Sequence, residues 1–505
     1  MPNAPSTPHQ IARHAERERW ISLVVLCAGF LMIILDQTIV NVALPSIQRD
    51  LHFSQSGLAW VINAYLIAFG GLLLLVGRLG DLIGRRRIFL AGLAVFTTAS
   101  LLCGVADSQA LLVGARFLQG IGGAMTSAVI LGMIVTMFPE PGDRAKAIGV
   151  YSFVAAAGGA VGLLAGGVLT QTLGWHWIFF VNLPIGILTA VLARRRIPAD
   201  QGIGLQHGAD VPGALLLVSS LMLAVYAIVE TSSYSWGSSH TIGFGALAVA
   251  LLAGFVLRQA RAANPLIPLR VFRSATVTGA NLIQMLMVAG IFGVFFLGAL
   301  YLQQVLHYDP IKVGLAFLPV ALGIAAMSLG VSAALIQRIG GRLTLIPGLV
   351  LIATGLILFS GASAHASYVS DLLPGMLALG IGAGLAFPAL MTLAMSTATP
   401  EDSGVVSGLV NTTQQMGGAL GLAVLATLSS SHTALLLHGG ASTATALTGG
   451  YHRAFEIGAV LVVVGIALAG VLLRSRPAPV LAAQASPNED ESEFEDELAL
   501  RPAAS

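Results

Sequence analysis

Charged residues are scarce in this chain: aspartate, glutamate, lysine and arginine together make up 10% of its 505 residues. Soluble domains carry about 25% charged residues, which they need to cover a surface in contact with water. Hydrophobic residues make up 56% of the chain, and the mean hydropathy is +0.86. These values exclude an ordinary soluble protein and indicate a protein that crosses a membrane several times.

Cysteine and lysine are almost absent. The two cysteines, Cys27 and Cys103, both lie within apolar runs, so the sequence indicates neither a disulfide framework nor a metal cluster. Lysine occurs twice against 23 arginines, a bias typical of GC-rich bacterial genomes. The sequence also lacks the H-E-x-x-H spacing of a metalloprotease, and its glycine-rich runs do not follow a predicted strand as a nucleotide loop would. We therefore expect no enzymatic activity, no metal or other cofactor, and no nucleic-acid partner.

Apolar runs of about 20 residues, the length needed to cross a bilayer as a helix, occur fourteen times along the chain. The fold class predicted from them is an all-α membrane protein with fourteen transmembrane helices. The predicted spans are 20–46, 57–77, 88–106, 109–138, 146–170, 177–193, 211–230, 241–258, 276–304, 312–336, 343–360, 368–395, 404–428 and 454–473.

The basic residues predict the orientation of these spans. With the N-terminus inside and fourteen crossings, 21 of the 25 basic residues fall in inner segments. Only Arg49, Lys312 and Arg453 fall in outer segments, and Arg116 lies within a span. Cytoplasmic loops carry an excess of arginine and lysine, so both termini are predicted to be cytoplasmic.

An internal repeat relates the two ends of the chain. The segments GVYSFVAAAGGAVG (149–162) and GLVNTTQQMGGALG (408–421) share the spacing G-x8-GGA[VL]G at an offset of 259 residues. Such repeats are common in transporters and predict that spans 1–6 correspond to spans 9–14, with spans 7 and 8 inserted and a central cavity between the halves. The predicted units are an N-terminal cytoplasmic tail (1–19), a six-helix half (20–196), two inserted helices (197–262), a second six-helix half (263–473) and an acidic disordered cytoplasmic tail (474–505).

Two charged residues interrupt the apolar spans. Asp36 lies in LMIILDQTIVNVALP (31–45) and Arg116 opens RFLQGIGG (116–123). At 1.5 Å per residue they lie roughly 15 Å and 10 Å from the same membrane face. Intramembrane charges normally pair or face water, which predicts contact between the two side chains. A purely structural ion pair is the alternative interpretation.

The connection between spans 2 and 3 reads GRLGDLIGRRR (77–87). Its glycines permit a tight turn and a close approach of helices. The arginines alone would suffice for a cytoplasmic anchor, which is the alternative, but an anchor needs neither the carboxylate nor the spaced glycines. We therefore predict a role beyond anchoring for Gly77, Asp81, Gly84 and Arg85, which the family resemblance given below identifies as an inner gating loop.

A stripe of small residues marks span 5. Gly158, Gly162 and Gly166 recur every four residues, with Gly167 beside them. Small residues at this spacing allow two membrane helices to pack closely, so the stripe is predicted to be a helix contact.

Neutral polar and aromatic side chains are predicted to line the central cavity. Such a lining suits an apolar or amphipathic ligand held by few polar contacts; simple helix packing is the alternative for each residue. The candidates are Gln37, Asn41, Gln119, Gln284, Phe292, Phe296, Asn411 and Gln415.

Together these motifs resemble the fourteen-helix drug:proton antiporters of the major facilitator superfamily, the EmrB/QacA type, over about residues 20–473. The resemblance lies in LDQTIVNVALPSI, GRLGDLIGRRR and RFLQGIGGA, and also in GWHWIFFVNLPIG (174–186) and YLQQVLHYDPIKVGLAFLP (301–319). The chain departs from the family at Leu163, where a proline is usual, and at His176, where an arginine is usual.

The resemblance implies the major facilitator fold and proton-coupled export of hydrophobic, neutral or monocationic compounds across the bacterial cytoplasmic membrane. It implies that Asp36 carries the proton, that Arg116 is its basic partner, and that Asp81 and Arg85 belong to the inner gate. The expected partners are a small hydrophobic substrate, protons and the lipid bilayer. Two alternatives stay open: a dedicated exporter of one natural product or lipid made by the same cell, and a membrane sensor that transports nothing.

Overall fold

A computed structural model describes residues 8–396 and 403–473, except Leu205 and His207. The acidic tail predicted at 474–505 and the first seven residues lie outside this part of the chain. Within the described residues, fourteen helices are long and apolar enough to cross a membrane. We number them spans 1–14: Glu16–Asp50, Gly57–Ile83, Arg85–Gly104, Gln109–Met137, Gly142–Thr172, Trp177–Arg196, Val211–Ser232, Ser239–Arg261, Ala275–Val305, Pro310–Ile339, Gly341–Ser360, Tyr368–Met395, Gly404–His438 and Thr443–Leu472. The predicted fold class, an all-α membrane protein with fourteen transmembrane helices, is confirmed.

Several spans are not uniform α-helices. The helix that contains span 1 begins eight residues earlier, at Pro8. Span 6 is divided at Val181 into Trp177–Phe180 and Asn182–Arg196. Turns of π-helix occur at Tyr301–Val305, Met327–Val331 and Tyr368–Leu372, and such turns frequently occur at functional sites.

The helix starts follow capping rules that can be read from the sequence. Ser238, Ser274 and Ser442 each precede a span and accept a hydrogen bond from the backbone N–H three residues later. Side-chain oxygens at this position satisfy one of the free N–H groups of the first turn. Proline occupies the first turn of the α-helices that form spans 5, 7 and 10, where its missing N–H costs nothing.

The same pairs of helices pack in each half of the molecule. Span 1 packs against spans 5 and 6, span 3 against spans 4 and 6, and span 2 against span 4. Span 9 likewise packs against spans 13 and 14, span 11 against spans 12 and 14, and span 10 against span 12. The helices that share the G-x8-GGA[VL]G spacing, spans 5 and 13, thus occupy equivalent places. The domain boundaries proposed from the sequence stay a prediction.

The glycine stripes explain these close contacts. A Cβ atom on Gly158 or Gly162 would lie within 3.0 Å of side-chain atoms of span 1, and one on Gly166 would lie 2.7 Å from the Ile39 carbonyl oxygen. In the second half, Gly417 and Gly421 meet span 9 equally closely, since a Cβ atom on either would lie within 2.7 Å of backbone atoms there. The absence of a side chain lets both helix pairs approach closely.

The inserted spans 7 and 8 lie beside a seam between the halves. A Cβ atom on Gly71 of span 2 would meet Val218 of span 7 at 2.6 Å. On the other side of the seam, the Thr427 hydroxyl of span 13 donates to the Ile228 carbonyl of span 7 at 3.4 Å. Span 7 therefore contacts both halves, while most of span 8 is exposed on the outer surface.

The two ends of the helix bundle differ in charge and in packing. We call the end that carries most of the arginines the basic end; its connections are residues 84, 138–141, 197–210, 262–274 and 340. The opposite end carries residues 51–56, 105–108, 173–176, 233–238, 306–309, 361–367 and 439–442.

Hydrogen bonds between spans 1 and 9 join the halves at the opposite end. Gln303 Nε2 donates to the Val42 carbonyl at 2.8 Å, and Gln304 Nε2 donates to Gln48 Oε1 at 2.7 Å. Spans 5 and 10 also touch there, because a Cβ atom on Gly167 would lie 2.7 Å from the Pro310 carbonyl oxygen. Near the basic end, by contrast, no atom of the described residues lies within 4 Å of a Cβ position on three glycines of spans 5 and 10: Gly142, Gly149 and Gly330. Spans 5 and 10 are therefore in contact at the opposite end and apart near the basic end, whereas spans 2 and 13 also meet nearer the basic end, where a Cβ atom on Gly408 would lie 2.4 Å from Leu74 Cδ2.

Candidate functional site

Asp36 is buried in the middle of the N-terminal half, with 1% of its surface exposed. Its Oδ2 accepts a hydrogen bond from Arg116 Nη1 at 2.6 Å. Its Oδ1 accepts from Gln119 Nε2 at 2.6 Å and from Asn182 Nδ2 at 3.1 Å. The carboxylate is therefore surrounded by donors, one of them charged, as a buried anion requires.

Arg116 is buried to the same degree, with 2% of its surface exposed. Its Nε donates to the Val61 carbonyl at 2.9 Å, and its Nη1 donates to Gln119 Oε1 at 2.7 Å. The guanidinium carbon lies 4.4 Å from the centre of the Tyr65 ring, a distance typical of a cation–π contact. The Tyr65 ring therefore covers one face of the Arg116 guanidinium group.

Three residues complete the network around the pair. Gln119 and Asn182 each donate to Asp36 and also to the Ser100 hydroxyl, at 2.8 Å and 3.4 Å. The motifs did not single out Asn182 or Ser100 as site residues. The signal that could have found Asn182 is its place in the FVNLP stretch, where a polar amide opens the longer piece of span 6.

The ion pair contributes little net stability by itself, since removing two charges from water costs about as much as their attraction returns. A carboxylate has lone pairs for about four hydrogen bonds, and Asp36 accepts three, so a proton could bind only at the remaining lone pair of Oδ2. That proton would remove the negative charge and weaken the bonds from the partners on spans 4 and 6, most of all the charge-assisted bond from Arg116.

The predicted gating loop is ordered around Arg85. Its Nε and Nη2 donate to Asp81 Oδ1 at 3.1 Å and 2.9 Å, and its Nη1 donates to the Gly132 carbonyl at 2.9 Å. The loop is thereby tied to span 4 at the basic end. About a third of the Arg85 side chain and 43% of the Asp81 side chain are exposed, so solvent weakens this ion pair.

Gly77 and Gly84 of the gating loop differ in whether their surroundings would admit a side chain. Gly84 has φ +111°, a backbone conformation that residues with a side chain rarely adopt. A Cβ atom there would also lie 2.9 Å from the Asp200 carbonyl oxygen. Gly77 has open space around it, so nothing in the structure demands glycine at that position.

The structure divides the predicted cavity residues into two groups. Gln119 and Phe296 are fully buried, Gln119 in the Asp36 network and Phe296 among apolar side chains, so neither lines an open space. The others lie on spans 1, 9 and 13, at varying degrees of exposure: Gln37, Asn41, Gln284, Phe292, Asn411 and Gln415. Their role in binding stays a prediction.

Contacts between spans 2 and 13 bring parts of the second group together. A Cβ atom on Gly70 would lie 2.6 Å from Gln415 Cβ, and one on Gly418 would lie 3.3 Å from the Phe292 ring. The amide oxygens of Gln284 and Gln415 are buried and accept no hydrogen bond. Such unpaired buried acceptors are uncommon, and a ligand with an N–H or O–H group would satisfy them.

Gln37 links this region to the ion pair. Its Nε2 donates to the Tyr65 hydroxyl at 3.4 Å, and the Tyr65 ring lies against Arg116. The side chain of Gln37 is itself half-buried. The Tyr65 side chain therefore lies between the Asp36–Arg116 pair and Gln37, which borders the region between the halves.

Comparison with known proteins gives consistent matches. The family model described as Major Facilitator Superfamily matches residues 26–422. The chain is 41% identical to the puromycin resistance protein pur8 of Streptomyces alboniger over 466 residues, 91% of this chain and 92% of that protein. It is 38% identical to the cephamycin export protein CmcT of Amycolatopsis lactamdurans, over 82% of this chain and 85% of that protein.

A solved structure shares the fold. It is that of a bacterial homolog of the human lysosomal transporter Spinster, in an inward-facing and unoccupied conformation, with a TM-score of 0.65 and 17% sequence identity. The alignment covers 91% of this chain and 99% of that one. At this level of identity the likeness concerns the arrangement of helices alone.

Proposed function

The chain belongs to the Major Facilitator Superfamily, and we propose that it exports hydrophobic antibiotics or similar drugs across the bacterial cytoplasmic membrane in exchange for protons. The observation that carries this proposal is the fully buried Asp36–Arg116 pair within a bundle of fourteen membrane helices. A charge pair at this depth is costly, and such pairs in transporters mark ion and proton pathways. Asp36 would carry the proton, and Arg116 would hold the carboxylate between loading and release.

The region between the halves supports a hydrophobic substrate with a few polar groups. Asp36 gives its oxygens to three protein donors, so its charge is already satisfied in this conformation. Aromatic and amide side chains remain for the ligand, among them Phe292 and Gln415. This composition favours a neutral or weakly cationic compound over a strongly charged one.

A dedicated exporter of one natural product is a second candidate. The names of the puromycin resistance protein pur8 and the cephamycin export protein CmcT each refer to a single antibiotic or antibiotic class. By contrast, the multidrug resistance protein Stp of Mycobacterium tuberculosis has a name that refers to several drugs. This chain is 33% identical to it, over 81% of this chain and 75% of that protein. The two candidates differ in breadth of substrate, not in mechanism.

Drug susceptibility distinguishes the two candidates. Expression in an antibiotic-sensitive bacterium is expected to raise the inhibitory concentration of hydrophobic antibiotics, because export lowers their concentration inside the cell. Measuring growth against puromycin, a cephalosporin, lincomycin and ethidium, with an empty vector as control, gives the profile. Protection against several unrelated compounds supports a multidrug exporter, and protection against one supports a dedicated carrier. No change for any compound would count against drug export.

We also propose that the basic end faces the cytoplasm. This orientation rests on the unequal distribution of arginine and lysine, 21 of 25 in segments at that end or in the tails beside it. With it, the contacts of span 1 with span 9 and of span 5 with span 10 lie toward the outside. The gating loop then lies on the cytoplasmic side, where Asp81 and Arg85 would take part in opening and closing.

Cysteine labelling tests the orientation. A cysteine at Ser235, exposed at the opposite end, is expected to react with a membrane-impermeant maleimide added to whole cells. A cysteine at Glu140, exposed at the basic end, is expected to react only after the cells are opened. The native Cys27 and Cys103 are both buried, so background labelling should be low. The reverse pattern would overturn the orientation and place the gating loop outside.

A further inference from the structure

Span 3 begins without a cap of its own. Its N-cap residue is Gly84, which has no side chain, and its first turn contains Arg85, Arg86 and Arg87 but no acidic residue. The N-terminus of a helix carries free N–H groups and a partial positive charge, so acceptors and negative charge stabilise it. The first turn of span 3 thus carries positive side chains at the place where negative charge would stabilise the helix.

The connection between spans 6 and 7 supplies what the turn lacks. Asp200 Oδ2 accepts a hydrogen bond from the Arg85 backbone N–H at 2.6 Å, and Asp200 Oδ1 accepts from the Arg86 backbone N–H at 3.0 Å. Both carboxylate oxygens therefore cap a helix that lies more than a hundred residues earlier in the chain. The side chain of Asp200 stays exposed to solvent on its other side.

The same segment caps the end of span 2. The Ile203 N–H donates to the Asp81 carbonyl at 3.0 Å, and the Gly204 N–H donates to the Leu82 carbonyl at 3.0 Å. Directly before these two residues, a Cβ atom on Gly202 would lie 2.1 Å from the Leu82 carbonyl oxygen, so only glycine fits there. One short segment thus holds both helix ends that meet at Gly84.

The connection then continues to the inserted helices. Arg78 Nε of span 2 donates to the Gly208 carbonyl at 3.4 Å. Asp210 caps span 7 by accepting from the Gly213 N–H at 3.0 Å, and it accepts from Arg258 of span 8 at 2.5 Å. Burial would raise the pKa of Asp210, but the hydrogen bonds from Arg258, Gln259 and Gly213 outweigh burial and lower it below its usual range. The far end of the connection is firmly anchored.

We propose that Asp200 is a positioning residue for transport, and that residues 200–204 form a brace through which the inserted spans hold the gating loop in place. The proposal rests on the proposed function, since it concerns the same gate. Asp81 and Arg85 can act at a fixed place only while the turn between spans 2 and 3 keeps its shape. The brace satisfies the free backbone groups on both sides of that turn, so its loss lets the turn open locally.

Two kinds of variant test the brace in the full-length protein in lipid nanodiscs and inside-out vesicles. Asp200→Ala removes the cap, and Gly202→Ala places a methyl group against the Leu82 carbonyl. Asp143→Ala and Gly142→Ala are the matched controls: both lie at the basic end, Asp143 pairs with the exposed Lys146, and Gly142 has open space around it. Asp200→Asn keeps one neutral acceptor oxygen and serves as the conservative replacement.

Hydrogen exchange is the first measurement. The backbone amides of Arg85 and Arg86 are expected to exchange about fivefold faster in Asp200→Ala, the effect of losing a typical helix cap, while amides elsewhere in span 3 stay unchanged. Gly202→Ala is expected to show the same local change, Asp200→Asn a smaller one, and the two controls none. Unchanged exchange at these amides in Asp200→Ala and Gly202→Ala would overturn the brace.

Transport is the second measurement, with radiolabelled puromycin as the probe. The maximal rate is expected to fall several-fold in Asp200→Ala and Gly202→Ala at an unchanged apparent KM, because the gate is disturbed and the ligand site is not. Asp200→Asn should recover part of the rate. Faster exchange with a normal transport rate would show that the brace does not position the gate, which overturns the proposal. If the wild type transports no puromycin, that result counts against the proposed function, and exchange still decides whether the brace exists.

Discussion

Replacing Asp36 with asparagine is expected to abolish the accumulation of substrate that a pH gradient drives in inside-out vesicles. Asparagine has nearly the size of aspartate and keeps one acceptor oxygen, so it can still accept from Gln119 or Asn182. It cannot gain or lose a proton at physiological pH. If Asp36 carries the proton, coupling is lost completely while the fold and the ligand site are kept.

The geometry explains why the loss should be complete. Asp36 contacts Arg116 on span 4 and Asn182 on span 6, so its protonation and the positions of these helices are linked. In the mutant, the hydrogen bonds around position 36 no longer depend on pH. The proton gradient then cannot change the relative populations of the inward-open and outward-open conformations that an exporter alternates between. A change that does not alter the relative free energy of two states cannot move the equilibrium between them.

The measurement compares wild type and Asp36→Asn at matched amounts of protein, using puromycin uptake after an imposed pH step. Glu456→Gln is the control, since Glu456 is also an acid within a span but lies half-exposed beside Arg453. It should behave as wild type. Binding of puromycin at equilibrium should persist in Asp36→Asn. Accumulation by Asp36→Asn against the gradient would show that the carboxylate is only a structural partner of Arg116.

The number and approximate ends of the spans could be predicted from the sequence, because hydrophobic length and charge distribution act locally. The contact between Asp36 and Arg116 could also be expected, since two unpaired charges at the same depth would each be costly. Asn182 and Ser100 could not be assigned in the same way. A neutral polar residue in a helix is tolerated in many surroundings, and only the packing of spans 3 and 6 brings these two to the carboxylate.

The same reasoning explains the cavity residues. Gln119 and Phe296 have side chains that suit a ligand site, but the direction each one faces depends on helix rotation, which apolar sequences specify weakly. Span 4 turns Gln119 toward Asp36, because its amide can donate to the carboxylate and accept from Arg116 at once. The brace at Asp200 was hidden for a different reason: its contacts join segments far apart in the chain, without a spacing that marks them.

Removing Arg116 is expected to destabilise the protein strongly, and removing Asp36 as well is expected to restore much of that stability. Arg116→Gln leaves the Asp36 carboxylate buried without its cation, which costs about 3–5 kcal/mol in comparable buried pairs. In the double variant Asp36→Asn/Arg116→Gln, neither position is charged, and amide groups can pair with Gln119 and Asn182. The two substitutions should therefore be far from additive.

Thermal unfolding of wild type, Asp36→Asn, Arg116→Gln and the double variant in the same detergent measures the energetic coupling between Asp36 and Arg116. Puromycin uptake is measured in parallel. The melting temperature should be lowest for Arg116→Gln and should rise again in the double variant, while uptake stays absent in both. Glu456→Gln, which breaks an exposed pair with Arg453, should change the melting temperature little. Recovery of stability without recovery of transport would separate the structural role of the pair from its role in coupling. If the double variant is no more stable than Arg116→Gln, the cost lies in the lost contacts of Arg116 with Val61 and Tyr65 and not in a stranded charge.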